Sequence, residues 1–96
     1  MKAFVIAAET VTDDALFGAY RDKVAATLTA FGGAFVVRGG AITTLEGEWP
    51  HARLVIIEFP SRAAAESWYS SADYQAIIGL RHKGSHGNLV IVDGPA

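Results

Sequence analysis

The sequence predicts an α+β domain whose antiparallel four-stranded sheet carries helices on one face only. Three observations lead there. Strand-like and helix-like segments follow one another in the order β, α, β, β, α, β. The hydrophobic fraction, 51% of 96 residues, is at the upper end for a globular chain and exceeds what one small two-layer unit readily hides. The strands are apolar at successive positions, so both faces of the sheet need cover.

Residues 2–8 form the first strand, with Phe4, Val5 and Ile6 supplying aromatic and β-branched side chains. Thr12 is placed to cap a helix, and Asp13 and Asp14 suit the positive end of its dipole. Leu16, Tyr20, Val24, Leu28 and Phe31 recur at near-helical spacing as one apolar stripe. Gly32 and Gly33 end that helix. Residues 34–37 are a second strand, and the extended stretch 41–46 continues it; Gly39 and Gly40 could make a tight hairpin turn, but a bulge that bends one long strand is preferred, since two separate stubs of this size would be feeble. Residues 47–52, with Pro50, are a loop, and 53–59 are the third strand. Ser61 caps a short helix over 62–69; Ser70 and Ser71 interrupt it, and it resumes from Ala72 to about Lys83 with Tyr74, Ile77, Ile78 and Arg81 on one side. Gly84 and Gly87 break the pattern before a last strand over 88–93.

This order is the ferredoxin-like βαββαβ arrangement. In the third strand Arg53, Val55, Ile57 and Phe59 point one way and Leu54, Ile56 and Glu58 the other. Helices cover one face, and a second copy of the chain is the simplest cover for the other. The expected assembly is therefore a homodimer, and the whole chain, 1–96, is expected to be one domain.

Composition removes several function classes. A net charge of −2 with no basic stripe argues against nucleic-acid binding. The absence of cysteine removes disulfides, thiolate nucleophiles and cysteine metal sites. The apolar run 3–8 resembles the core of a signal peptide but is too short and stops at Glu9; no run is long enough to span a membrane. A cytoplasmic location is expected.

Val37-Arg38-Gly39-Gly40, Leu45-Glu46-Gly47-Glu48-Trp49, residues 53–61 (RLVIIEFPS) and residues 71–81, with Tyr74-Gln75-Ala76, resemble a family of small, uncharacterised, mostly bacterial proteins, the domain-of-unknown-function family numbered 1330. The resemblance runs over nearly the whole chain. It implies the dimeric α+β barrel superfamily, in which two ferredoxin-like sheets close face to face. That superfamily includes cofactor-free monooxygenases, muconolactone isomerase-like enzymes, haem proteins and proteins with no known reaction, so the resemblance implies a fold more than an activity.

No residue set forms a catalytic signature: the chain has no G-x-S-x-G elbow, G-x-G-x-x-G or P-loop. His82 and His86 have the spacing of a helical metal pair, but Gly84 lies between them and no third ligand is near, so they read as exposed loop histidines. His51, in a loop, is a candidate general base, although a lone loop histidine is more simply a surface residue. Arg81, His82 and Lys83 suit a helix C-terminus, with anion binding as the functional alternative. Ser61 reads as a cap. Arg38, Glu46, Arg53 and Glu58 place charges on an apolar sheet and need partners; internal ion pairs, with Glu46 facing Arg53 across a hairpin, are expected before a ligand grip. Trp49, Trp68, Tyr69 and Tyr74 read as core and interface aromatics that could also line a pocket.

Two functions stand against each other. One is a cofactor-independent enzyme acting on a small aromatic or carbonyl compound, with His51, Arg38 and Tyr74 as catalytic candidates and Arg38, Trp68, Tyr74 and Arg81 as ligand-binding candidates. The other is a non-enzymatic dimeric module that binds a metabolite or a protein. No metal, haem or other cofactor is expected. The partners expected are a second copy of the chain and a small molecule, not a membrane or nucleic acid; an RNA-binding sheet needs exposed aromatics on a basic surface, and this sheet offers Val, Ile and Leu.

Overall fold

The computed structural model describes residues 1–95. Strand β1 (Ala3–Val11) is followed by helix α1 (Asp14–Leu28), a 3-10 turn (Thr29–Phe31), β2 (Ala34–Arg38), β3 (Arg53–Phe59), helices α2 (Arg62–Ser70), α3 (Ala72–Gln75) and α4 (Ile78–Gly84), and β4 (Ser85–Asp93). The sheet order is β2-β3-β1-β4, and β1–β3, β1–β4 and β2–β3 all pair antiparallel. This is the ferredoxin-like α+β arrangement expected.

Alternation along the strands sets the two faces. Ala3, Val5, Ala7 and Glu9 of β1 and Val55, Ile57 and Phe59 of β3 are buried beneath the helices. Phe17, Tyr20, Val24 and Leu28 of α1 close over them, with Ala65 and Trp68 of α2 and Tyr74 of α3. Each large apolar side chain fully withdrawn from water contributes about 1.5–3 kcal/mol. On the opposite face Phe4, Ile6 and Ala8 stand beside Leu54 and Ile56 on one side and Val90 and Val92 on the other. No element among the described residues covers them: Val90 is 52% exposed and Val92 44%.

Four expectations need correction. Asp13, not Thr12, caps α1: its carboxylate accepts from the Leu16 amide at 3.0 Å. The stretch after Arg38 does not continue β2. Gly39 turns the chain through a left-handed conformation (φ 72°), its amide donates to the Leu54 carbonyl at 2.9 Å, and residues 39–52 then run without regular structure. A register irregularity does occur, but earlier, between Phe35 and Val37. The helix over 72–83 is two helices, because the turn tightens where the Ile77 amide donates to the Tyr74 carbonyl three residues back. The last strand begins at Ser85, because β1 runs on to Val11 and pairs with it through Val11↔Ser85. His86 is therefore a strand residue rather than a loop residue.

Candidate functional site

The elements converge on a buried polar centre. Glu9 ends the inward-facing series of β1 and is 2% exposed. One carboxylate oxygen accepts from Arg81 Nε at 2.9 Å; the other lies 3.8 Å from Arg53 Nε, beyond hydrogen-bond reach. Burying one carboxylate with one well-placed guanidinium is the arrangement in which charge can be held away from water. Arg53 Nε is itself buried without a hydrogen-bond partner. Its guanidinium lies over the Phe17 ring, 5.2 Å from the centroid. Burial lowers the Arg53 pKa; Glu9 opposes this, while Arg21 and Arg38 add to it through like-charge repulsion.

Beside this centre the hydroxyls of Tyr20 and Tyr74 share a hydrogen bond of 3.0 Å. Burial, with the Tyr74 hydroxyl alongside, pushes the Tyr20 phenol far above its ordinary range. Trp68 packs on Tyr74, with centroids 4.1 Å apart, and its indole N–H donates to Thr27 Oγ1 at 2.9 Å, which donates to the Val24 carbonyl at 2.7 Å. Between sheet and helices remains a void of about 20 Å³, room for a single water molecule. Its floor is apolar, from Val5, Ala7, Val55 and Ile57, and Glu9, Tyr20, Arg21, Arg38 and Arg53 add polar groups to its wall. Arg21 and Arg38, at its wall, are exposed; Arg38 donates to the Arg21 carbonyl at 2.9 Å and stacks over Phe35 at 4.2 Å.

Of the sequence candidates, Arg38 and Trp68 line this void. Tyr74 and Arg81 stand just behind it, holding Tyr20 and Glu9. His51 is elsewhere. Its Nδ1 is 2.7 Å from Thr10 Oγ1, and its ring lies 5.7 Å from that of His86, at the end of the sheet's open face. It cannot serve as a base for a group held by Arg38 and Tyr74. Glu46 does not pair with Arg53: the bent loop carries it away exposed, and Arg53 turns inward to Glu9. Glu58 instead meets Lys2 at 2.7 Å. Ser61 caps α2, accepting from the Ala64 amide. Trp49 is half exposed on the loop, whereas Trp68 and Tyr74 are fully buried. Among the described residues no group of three or more His, Asp or Glu side chains could hold a metal ion, and no helix is long and apolar enough to cross a membrane.

Glu9, Tyr20 and Arg21 were missed as site residues. Glu9 did carry a signal: it continues the Ala3, Val5, Ala7 series in the same phase, a charge where the alternation demands an inward residue.

An antiparallel sheet with helices on one face, and a charged, aromatic centre between the layers, defines a ferredoxin-like α+β protein with an internal polar site. The chain belongs to the family described as Domain of unknown function (DUF1330), which matches it over residues 2–95. No curated protein matches the sequence. Solved structures of similar fold include a protein of unknown function from Rhodopseudomonas palustris, 16% identical, with a TM-score of 0.79 over 99% of this chain and 83% of that one. SnoaB from Streptomyces nogalater, described as a cofactor-independent oxygenase, is 15% identical, with a TM-score of 0.68 over 99% of this chain and 94% of its own. A dimeric ferredoxin-like protein of unknown function from Bacteroides fragilis is 10% identical, with a TM-score of 0.63 over 97% and 96%. At these identities the likeness is one of fold.

Proposed function

We propose that residues 1–96 form one domain that works as a homodimer, each copy binding a small aromatic or carbonyl compound between its sheet and helices and transforming it without a cofactor. The observation that carries this reading is the buried Glu9–Arg81 pair with Arg53 Nε left unpartnered beside an apolar-floored void. A core built only for stability would gain more from apolar side chains of the same volume. The void as it stands admits one water, so a larger guest enters by moving the exposed side chains of Arg21 and Arg38, and its apolar body would lie against Phe17, Phe35 and Val24. The fold shared with a protein described as a cofactor-independent oxygenase supports the cofactor-free chemistry. Homodimerisation is supported by the bare apolar sheet face and by the dimeric protein of the same fold.

A second reading, a dimeric binding module without catalysis, is favoured by one observation: His51 lies outside the pocket. Thermal-shift screening against small aromatic and carbonyl compounds tests the pocket, since a ligand that prefers the folded state raises Tm. Hits lost in Tyr20→Phe and Arg53→Gln establish the site, and consumption of a hit with added oxygen and no cofactor separates enzyme from module. A chain that no compound of these classes stabilises, at concentrations up to millimolar, overturns the pocket.

A further inference from the structure

Four arginines approach the pocket, and one carboxylate answers them. Glu9 is committed to Arg81 at 2.9 Å and reaches Arg53 only at 3.8 Å. Neither Arg21 nor Arg38 has a carboxylate within 4.0 Å among the described residues; the acidic partners of this protein's other ion pairs go to Lys2 and Arg62. The arginines are held in place by other means. Arg53 and Arg21 both lie over the Phe17 ring, at 5.2 and 6.0 Å, and Arg38 is tied to the Arg21 carbonyl and the Phe35 face. Clustering guanidinium groups costs Coulomb energy at every separation, and more in a partly buried setting. Two that have no carboxylate within reach, and a third whose buried Nε–H makes no hydrogen bond and lies 3.8 Å from a carboxylate already engaged by Arg81, leave positive charge over for a bound anion.

We infer that Arg21, Arg38 and Arg53 bind the carboxylate of the pocket's ligand, making the ligand class a small organic acid with an apolar, aromatic-sized body. This rests on the pocket reading above and narrows it. The flat guanidinium fork matches a carboxylate in two parallel hydrogen bonds, and the Arg53 Nε–H supplies a donor with no other use. The lining behind it, Val5, Val24 and Ile57, rewards an apolar tail that inorganic phosphate or sulfate lacks.

The test compares benzoate and phenylacetate with the matched neutral amides, benzamide and phenylacetamide, by titration calorimetry and by the Arg Nε–H signals in nitrogen-15 NMR. The acids bind at least about tenfold more tightly than the amides, move the Arg53 Nε–H signal and weaken with added salt. Arg53→Gln and Arg38→Met each weaken the acids by about tenfold. Arg38 is exposed, so its variant reports binding without disturbing the core. Arg62→Gln, which is outside the lining of the void and is paired with Asp93 and Glu66, leaves binding unchanged. Acids and amides binding alike, with Arg38→Met silent, would overturn the carboxylate receptor and leave the pocket standing. Inorganic phosphate binding as tightly as the acids, with the same response to the variants, would overturn the organic-acid assignment. Neither acids nor amides binding would overturn receptor and pocket together.

Discussion

At the residue scale, Glu9 and Tyr20 organise the interior. Glu9 turns the guanidinium of Arg81, itself 7% exposed, into a fixed part of the core, and the buried hydroxyls of Tyr20 and Tyr74 satisfy each other. The tyrosine pair has a consequence for pH. Burial raises the folded-state pKa of Tyr20 far above its ordinary value of 10.0, and raises that of Tyr74 as well. Between the unfolded and folded values the native chain keeps a proton that the unfolded chain gives up, so stability is intact below pH 10 and falls as pH rises beyond it. Each such group contributes a slope of up to about 1.4 kcal/mol per pH unit. Urea unfolding from pH 8 to 11 should show the wild-type chain losing stability more steeply above pH 10 than Tyr20→Phe, although the variant is weaker at pH 8 by about 1–3 kcal/mol because Tyr74 loses its partner. Parallel curves for the two proteins would contradict the assignment.

At the element scale, α4 joins the start of α1 through backbone at close quarters. The Gly84 carbonyl accepts from the amides of both Thr12 and Asp13, at 2.9 and 3.1 Å. A Cβ on Gly84 would stand 2.7 Å from the Phe17 amide nitrogen, and backbone cannot yield as a flexible side chain can. Glycine is needed there for closeness of approach, not for an unusual φ. Gly84→Ala should therefore cost about 1–3 kcal/mol by overpacking, read as a lowered denaturation midpoint, and should loosen Phe17 and with it the wall of the pocket. Gly79, where an added Cβ meets nothing, serves as the comparison: Gly79→Ala should be neutral or stabilising by up to about 1 kcal/mol. Equal effects at the two positions would show that helix propensity, not packing, governs both.

At the scale of the molecule, the sheet has a covered face and a bare one. Phe4, Ile6, Leu54, Ile56, Val90 and Val92 form a continuous apolar surface, larger in kind than the scattered exposed side chains a monomer tolerates. The loop after β2 adds exposed apolar side chains, with Leu45 88% and Trp49 50% exposed. Two copies meeting through a two-fold axis would bury the same patch twice, an interface of about 2,000 Å² or more. The wild-type chain should therefore sediment at twice its 10.2 kDa at micromolar concentration. Because Ile56 lies on the bare face, opposite the helices, Ile56→Asp should dissociate the dimer while the helix-side core stays intact, seen as halved mass with retained Trp68 fluorescence. A folded wild-type monomer at micromolar concentration would contradict the dimer.

The strand alternation of Arg53–Phe59, the Ser61 cap, the Gly32 stop and the order of the elements were legible in the chain itself, because they rest on periodicity and local backbone chemistry that act within a few residues. The two-sided apolar sheet was legible for the same reason: period two assigns faces without knowing what covers them. The partner of Arg53 was not. From sequence it faced Glu46 across a hairpin; in the fold Gly39 bends the chain away, and Arg53 meets Glu9, which the chain lays down a helix and two strands earlier. Nor could spacing reveal that Tyr20 reaches Tyr74, or that Arg21, Arg38 and Arg53 gather around one void while His51 lands on the opposite face. Such pairings depend on which surfaces the packed layers bring together, and a charge buried by that packing takes its nearest counter-charge in space, for which distance along the chain is no guide.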